Sequence, residues 1–290
     1  MKCPHCDVSL SQHNNGQMVC HYCGYREPVP KVCPSCGSKY IAGFKAGTQR
    51  MEQLVQERFP KARILRMDFD TTRTKDSYEK ILQSFANREA DILIGTQMIV
   101  KGHDFAHVTL VGILAADLSL HVSDYHGAER TFQLLTQAAG RAGRGELPGE
   151  VVIQTYTPQH FAIETAKRQD YEAFYEQEIA YRKLLHYPPD HHMLVILVTS
   201  GRSQDLEEGC GEVAKHLRSI CAEGAPVQII GPADAGIAKI NDVYRKVIYI
   251  KTKRYRTLVA IKDALERCLR RNPVTGSVNI QYDFDPMSGF

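Results

Sequence analysis

The chain has 290 residues, of which 43% are hydrophobic and 24% charged, so it is long and apolar enough for about two domains with real cores. No apolar run approaches the roughly 18 residues that span a membrane, and the N-terminus MKCPHC does not read as a signal peptide, so we expect a cytoplasmic protein. The net charge of only +3 points to no particular partner.

Cysteines are concentrated at the N-terminus, where six of the nine form three C-x2-C pairs: Cys3/Cys6, Cys20/Cys23 and Cys33/Cys36. Each pair turns tightly enough to aim both thiolates at one metal, and two pairs complete a tetrahedral zinc site. In an intracellular protein this spacing favours zinc over disulfides. The first module is therefore predicted to bind Zn²⁺.

Six thiolates make one and a half zinc sites. The first two pairs can close one site, whereas Cys33 and Cys36 need two further ligands. His5, His13 or His21 could supply them, although each is as readily a loop histidine. A further pair upstream of Met1 is the simpler hypothesis, and it would make this chain a fragment.

After the cysteines, apolar strands alternate with amphipathic helices. Helical periodicity covers 48–59, with Thr48 as the expected N-cap, then 76–85 and 127–142, and the strands are predicted at 63–68, 90–96, 109–117 and 150–156. Near-continuous apolar strands between helices indicate an α/β fold whose parallel sheet is covered on both faces. Ligands of such sheets bind at the loops beyond the strand carboxyl ends.

The tail is predicted to be a separate unit. Residues 158–186 have the pattern of one long helix with a charged face, and the order β-α-β-β-α-β follows over 193–200, 203–221, 227–231, 243–251, 255–271 and 277–285. This order fits a ferredoxin-like α+β sandwich.

A basic stretch lies within this tail. From 239 to 271 there are eleven Lys or Arg against three Asp or Glu, a net charge of +8, with three tyrosines interleaved: Tyr244, Tyr249 and Tyr255. Such a surface suits phosphates and stacked bases, and the candidate DNA contacts are Arg245, Lys253, Arg254 and Arg256. The alternative is a solvated helix face.

The segment QLLTQAAGRAGRG places Arg141 and Arg144 among glycines and alanines, behind Gln137. Small neighbours let a guanidinium approach a phosphate at bidentate distance. The alternative is two arginines that favour a helix dipole and reach water. The sequence contains no phosphate-binding loop of the form G-x4-G-K-[ST].

GTQMIVKGHDF, followed about 40 residues later by QLLTQAAGRAGR, resembles motifs V and VI of superfamily 2 helicases. With the cysteine array and the GTQRME segment, the whole chain resembles the C-terminal half of the primosomal replication-restart helicases. The resemblance implies a RecA-like second lobe and a small ribosomal-protein-like C-terminal domain. It also implies four C-x2-C pairs holding two zincs in a module inserted into that lobe, one pair more than this chain contains.

By this resemblance ATP and Mg²⁺ bind between two lobes, and the phosphate loop belongs to the other lobe. Arg144 is then the candidate catalytic arginine finger, worth ~10³ or more in rate, and Arg141 a phosphate or interlobe contact, with the two roles exchangeable. Gln137 would orient the nucleotide or its water. Nucleotide contacts are expected at Gly102, Asp104 and Gly140.

The same resemblance assigns DNA phosphate contacts to Thr48, Gly95, Thr96 and Lys101, through hydroxyls, a backbone N–H and a cation. His103 is either a packing residue or a functional residue. By the same resemblance Asp117 occupies the position of an acidic residue of the family, and it has no assigned role.

The sequence thus predicts four parts: a zinc module at 1–40, a second helicase lobe at 41–158, a helical linker at 159–190 and a DNA- or partner-binding domain at 191–290. The expected function is 3′→5′ unwinding of forked DNA in replication restart, by a monomer that works with single-stranded-DNA-binding protein, primosome and helicase-loader proteins. The chain alone is expected to be inactive. The alternative is a zinc-dependent nucleic-acid-binding or assembly module without ATPase activity.

Overall fold

The computed structural model describes residues 1–13, 16–39, 47–68, 71–72, 76–100, 105–122, 124–221, 224–271 and 277–288. The chain divides into two compact units: Met1–Lys39 with Ser123–His126 and Glu176–Phe290, and Tyr40–Val122 with Gly127–Tyr175. Within these described ranges no helix is long and apolar enough to cross a membrane.

The cysteine-rich module is a small antiparallel sheet of β1 (Ser11–Gln12), β2 (Gln17–Val19) and β3 (Arg26–Pro28), with β2 in the centre. All three cysteine pairs have the same backbone hydrogen bond. The N–H of the first cysteine donates to the carbonyl of the residue five positions later: Cys3 to Val8, Cys20 to Tyr25 and Cys33 to Ser38. Its core is built from the cysteines themselves with Leu10.

The lobe contains the predicted alternation of helices and parallel strands. Its elements are α1 (Thr48–Arg58), β4 (Ile64–Met67), α2 (Ser77–Ala86), β5 (Ile92–Gly95), β6 (Leu110–Ile113), α3 (Gly127–Ala139), β7 (Glu150–Ile153) and α4 (Phe161–Arg168). Strands β4 and β5 pair in parallel, as do β6 and β7, so the described strands form two separate parallel pairs. Short 3-10 turns follow two of them, at Gln97–Val100 and Ala116–Ser119.

Two local expectations for the lobe were wrong. The N-cap of α1 is Gly47, which has extended backbone angles, and Thr48 is the first helical residue. The hydroxyl of Thr48 donates to the carboxylate of Asp68 after β4. Strand β6 ends at Ile113 because Ala115 adopts a left-handed conformation, with φ of 52°, that leads into the 3-10 turn.

The C-terminal domain has the predicted ferredoxin-like fold. Its elements are β8 (His192–Ser200), α6 (Ser203–Ile220), β9 (Gln228–Ile240), β10 (Val243–Thr252), α7 (Tyr255–Arg271) and β11 (Asn279–Phe284), and the antiparallel sheet has the order β11-β8-β10-β9. Alternation along β8 builds two cores. Leu194, Ile196 and Val198 pack with α6 and α7, whereas alternate residues such as Val195 pack on the opposite face with Tyr125 and Tyr187.

The tail differs from the prediction in two places. The expected long helix is two helices, α4 and α5 (Tyr171–Leu184), because Gln169 adopts a left-handed φ of 52° and ends α4. The strand predicted at 227–231 is longer than expected, since β9 runs to Ile240. A two-residue turn, Asn241 and Asp242, connects β9 to β10. Both residues have positive φ values, 50° and 60°, a conformation that Asn and Asp tolerate well.

Candidate functional site

The first two cysteine pairs come together as one four-thiol cluster. The Sγ atoms of Cys3, Cys6, Cys20 and Cys23 all lie within 4.8 Å of one another, and those of Cys3 and Cys23 are 3.5 Å apart. A tetrahedral ion with Zn–S bonds of about 2.3 Å needs sulfurs roughly 3.8 Å apart. Three of the thiols are buried and the fourth is half-buried. These residues therefore fit a closed structural zinc site.

Backbone N–H groups surround the cluster. Burial alone would raise the pKa of the Cys20 thiol, but the backbone N–H groups of Cys23 and Tyr22 bring that pKa down to about 7. Cys23 accepts from the amide of Tyr25 at 3.5 Å, and Cys6 accepts from the amide of Asn241 at 3.2 Å. Donors to sulfur favour the thiolate, which is the form that binds zinc.

The third pair forms the same turn but stands apart from this cluster. The amide of Gly37 bonds the carbonyl of Cys33 at 2.8 Å, and the backbone N–H groups of Cys36 and Ser35 lower the pKa of Cys33. Across the ranges that the structure describes, the four-thiol cluster is the one group of three or more potential metal ligands. No histidine is therefore brought to Cys33 and Cys36 there; His5 is instead bonded to Asp242.

The motif VI arginines follow the C-terminus of α3. Gln137 is exposed on its last turn, Arg141 is half-buried, and Arg144 is exposed. The Nε of Arg144 donates to the carbonyl of Gly140 at 2.6 Å, and the amide of Gly140 bonds Thr136. The guanidinium of Arg144 is thus anchored at the helix end, where terminal carbonyls need donors.

The glycines of QLLTQAAGRAGRG have a packing role that the sequence interpretation missed. Gly143 adopts a φ of 71°, and its amide donates to the carbonyl of Val108 at 2.9 Å. A Cβ on Gly145 would overlap the carbonyl oxygen of Ala106, and one on Gly149 would overlap the backbone of Gly143. The loop therefore needs glycine in order to lie against residues 106–108, which follow motif V.

Motif V is only partly described. Gly95 ends β5, where a Cβ would lie 2.5 Å from the carbonyl oxygen of Met67 and 2.7 Å from a methyl of Ile99, so its small size also serves packing. Thr96 is exposed at the start of the next turn. Lys101, Gly102, His103 and Asp104 lie outside the described residues.

Thr48 is engaged within the lobe. Its hydroxyl donates to Asp68, whose other carboxylate oxygen accepts from the amide of Thr71 at 2.9 Å. Burial opposes ionisation of Asp68, but these bonds and nearby Arg66 leave its pKa below the usual value. The charged Asp68 therefore competes with any phosphate for the Thr48 hydroxyl.

Asp117 is a structural carboxylate that the sequence left without a role. It is buried, and it accepts hydrogen bonds from the hydroxyls of Thr157 at 2.6 Å and Thr155 at 2.7 Å, and from the amide of Tyr156 at 2.9 Å. These bonds hold the pKa of Asp117 well below its usual range. One side chain thereby ties the loop after β6 to the loop after β7.

The basic stretch is less available than its charge count suggests. Five of its cations are engaged within the protein: Lys239 with the carbonyl of Pro4, Arg245 with that of Ile237, Lys246 with Glu207, Lys251 buried over the ring of Tyr187, and Lys262 with Glu266. Tyr244 and Tyr249 pack against cores.

Lys253, Arg254 and Arg256 are exposed where β10 passes into α7, beside the exposed ring of Tyr255. This surface, residues 253–256, combines cations with an aromatic face and is suited to a nucleic-acid backbone.

Comparison with known proteins matches family models to three stretches of the chain. The model described as the PriA DNA helicase Cys-rich region domain matches residues 3–28, the helicase conserved C-terminal domain matches 38–146, and the primosomal protein N C-terminal domain matches 183–287.

Curated relatives align over nearly the whole chain. The replication restart protein PriA of Bacillus subtilis is 46% identical over 98% of this chain and 35% of its own length. The PriA of Synechocystis is 42% identical over 99% of this chain and 34% of its own length. The PriA of Chlamydia pneumoniae is 38% identical over 100% of this chain and 38% of its own length. The chain thus spans about a third of the length of these relatives.

Proposed function

Because this chain belongs to the PriA family of replication restart proteins, we propose that it supplies the second lobe of an ATP-driven DNA helicase acting on forked DNA. The observation that carries the proposal is the packing of residues 140–145, which we name the arginine loop, against residues 106–108 after motif V. The amide of Gly143 bonds Val108, and Gly145 abuts Ala106. A nucleotide contact at the loop can thereby act on residues 106–108, which directly follow the motif V residues proposed to touch DNA.

In this proposal Arg144 neutralises charge that develops on the γ-phosphate of ATP, and Arg141 contacts a phosphate or the other lobe. Gln137, exposed on the last turn of α3, orients the nucleotide or its attacking water, and Gly140, Gly102 and Asp104 line the nucleotide site. The hydrogen bond from the Arg144 Nε to Gly140 supports this assignment, because an anchored guanidinium loses less freedom on reaching a phosphate.

The lobe carrying a phosphate-binding loop and a Mg²⁺ ligand completes the proposed motor. Thr96, Gly95 and Lys101 contact DNA phosphates in this scheme, as does Thr48 once its hydroxyl leaves Asp68. Lys253, Arg254 and Arg256 add a second contact with DNA, and Arg245 joins them if its bond to Ile237 opens. Phosphate contacts of these kinds position DNA without reading its sequence.

Similarity to replication restart proteins supports a role in restarting DNA replication, and the details that follow are part of our proposal. We place the protein in the cytoplasm as a monomer that moves 3′→5′ and works with single-stranded-DNA-binding protein, primosome and helicase-loader proteins. The four-part division at residues 40, 158 and 190 belongs to the same proposal. Zinc occupies the four-thiol cluster, and Cys33 with Cys36 form an incomplete second site.

A zinc-dependent nucleic-acid-binding module without ATPase activity is the second candidate. The observation that favours it is the four-thiol cluster, which is complete without any further segment. The exposed surface at 253–256 could bind DNA on its own, since the electrostatic attraction to phosphates needs no motor.

An ATPase assay separates the two functions. Zinc-loaded chain is mixed with single-stranded DNA and ATP, with and without a separately purified first lobe from the intact relative. The motor proposal expects turnover only when both parts are present, and loss of that turnover in chain carrying Arg144→Ala. DNA binding without turnover in the mixture, while the intact protein is active under the same conditions, would favour the binding module.

A further inference from the structure

The turn between β9 and β10 touches the zinc cluster, although it lies over 230 residues away in sequence. The backbone N–H of Asn241 points at the sulfur of Cys6, with a nitrogen–sulfur distance of 3.2 Å. Both residues belong to the same compact unit. A backbone amide of the C-terminal domain is therefore one of the donors to a metal-binding thiolate.

Four further contacts fix this turn on the first cysteine loop. Two are between backbones: Asp242 N–H to the carbonyl of His5, and Asp7 N–H to the carbonyl of Lys239, both at 2.8 Å. Two involve side chains: the Lys239 ammonium donates to the carbonyl of Pro4 at 2.8 Å, and the Asp242 carboxylate pairs with the His5 ring at 2.6 Å.

Apolar packing joins the same surfaces. Ile240 packs against the core formed by the cysteines and Leu10. The residues Lys239–Asp242, which we name the hairpin tip, thus contact every residue from Pro4 to Asp7, the loop that carries Cys6 and follows Cys3.

Hydrogen bonds to metal-bound sulfur act on the metal as well as on the ligand. A hydrogen-bond donor to a thiolate offsets part of the sulfur's negative charge, orients the sulfur towards the metal and slows dissociation of the metal. Loss of outer partners of this kind typically weakens metal affinity 10–100-fold. The coupling is reciprocal: whatever the hairpin tip contributes to holding zinc, zinc contributes equally to holding the hairpin tip.

We propose that the hairpin tip is an integral part of the zinc site, so that zinc binding by the cysteine module and docking of the C-terminal hairpin are one coupled equilibrium. Loss of zinc then loosens the junction between β9 and β10, and loss of the hairpin contacts weakens zinc. This role is independent of the proposed motor activity, because it concerns binding of the metal and not turnover of ATP.

Hydrogen exchange on the unmodified chain tests one direction of the coupling. Amides of Asn241 and Asp242 are compared in zinc-loaded protein and after zinc removal by a chelator. We expect their exchange to accelerate at least tenfold without zinc, while buried amides of β8 stay protected. Equal protection of the hairpin tip in both states, with zinc loss verified, would overturn the proposal.

A double variant tests the other direction. Lys239→Met with Asp242→Gly removes both side-chain contacts yet keeps a favourable Asn-Gly turn and the backbone donors. We expect zinc to transfer to a colorimetric chelator faster than from the parent, because a loosened tip holds the Asn241 N–H less firmly against the Cys6 sulfur. The control, Lys262→Met with Asp263→Ala on α7, removes the same charges away from the cluster with residues that a helix accepts, and it should release zinc at the parent rate. Equal rates for all three proteins would show that the tip merely packs there.

Discussion

Asp117 joins the carboxyl ends of two parallel strands through a single buried carboxylate. Its partners after β7, two hydroxyls and two backbone amides, all donate, so they stabilise the charged form of the carboxylate. Because these bonds lower the pKa of Asp117 in the folded chain, the ionised carboxylate stabilises the folded lobe. Asp117, which the sequence left without a role, therefore acts as a structural residue that links the loops after β6 and β7.

Asp117→Asn should lower the thermal midpoint of the lobe at neutral pH, because an amide cannot accept all of these bonds. In the unfolded chain the carboxyl group protonates near pH 4, and in the folded chain well below that. The parent therefore has the full contribution above about pH 4 and loses it as the pH falls further.

Thermal melts from pH 7 to pH 2.5 check this difference. The gap between parent and Asp117→Asn should narrow below about pH 4, whereas the exposed control Asp283→Asn should follow the parent throughout. A difference in thermal midpoint that does not change with pH would show that the charge of the Asp117 carboxylate does not stabilise the lobe.

Gly145 is the glycine with the sharpest steric requirement in the arginine loop. Gly145→Ala would push a methyl into the carbonyl oxygen of Ala106, so the loop must shift, at a cost of about 1–3 kcal/mol. Gly112→Ala is the control, because its Cβ would have no neighbour within 4 Å. Urea unfolding should show destabilisation for Gly145→Ala well beyond that of Gly112→Ala. Equal curves would mean that the loop adjusts freely.

At the scale of elements, periodicity predicted most of the structure. The pattern of apolar residues placed α1, α2, α6 and α7 within two residues of their ends, and the strand order of the C-terminal domain was confirmed. It failed where single backbone conformations decide. Gln169 ends a helix and Ala115 ends a strand by adopting positive φ values that the apolar pattern does not reveal.

Site residues were harder to predict than elements, because function depends on what else a side chain meets. Spacing alone was enough to group four cysteines. Counting charges could not show that Lys251 is buried or that Lys246 pairs with Glu207. Small residues around Arg144 suggested space for a phosphate, whereas part of their purpose is backbone packing against Ala106.

The cysteine module should hold one tightly bound zinc per chain. Cys6→Ser removes a ligand from the four-thiol cluster and should abolish zinc binding and the folding that depends on it. Cys36→Ser changes the pair that stands apart from the cluster and should retain one zinc. Elemental analysis after purification without chelator measures both, and parent protein without zinc would contradict the assignment.

At the scale of the whole molecule, the exposed surface at 253–256 is the proposed second contact with DNA. Replacing Lys253, Arg254 and Arg256 by alanine should weaken binding to all sequences equally. It should also flatten the dependence of log K on log salt by about 0.7–0.9 per lost phosphate contact.

Fluorescence anisotropy with single- and double-stranded DNA across a salt series measures that slope. The control replaces three other exposed cations, Lys167, Arg168 and Lys183 on α4 and α5, and should keep the parent slope. An unchanged slope in the first variant would make residues 253–256 ordinary surface.

In the proposed function, the chain contributes one lobe of an ATP-driven motor. Arg144 is then expected to act on charge that exists only while ATP is being cleaved. An interaction made only in the transition state lowers turnover when it is lost, and leaves binding of nucleotide and DNA largely unchanged.

DNA-stimulated ATP turnover by the intact protein carrying Arg144→Ala is therefore the most direct measurement, with Arg168→Ala as a control that removes an exposed arginine from α4. We predict that Arg144→Ala lowers the turnover number by roughly 10³-fold, with near-parent affinities, zinc content and circular dichroism, while Arg168→Ala remains active. Near-normal turnover in Arg144→Ala would contradict the account and leave Arg144 as the cap of α3 through its bond to Gly140.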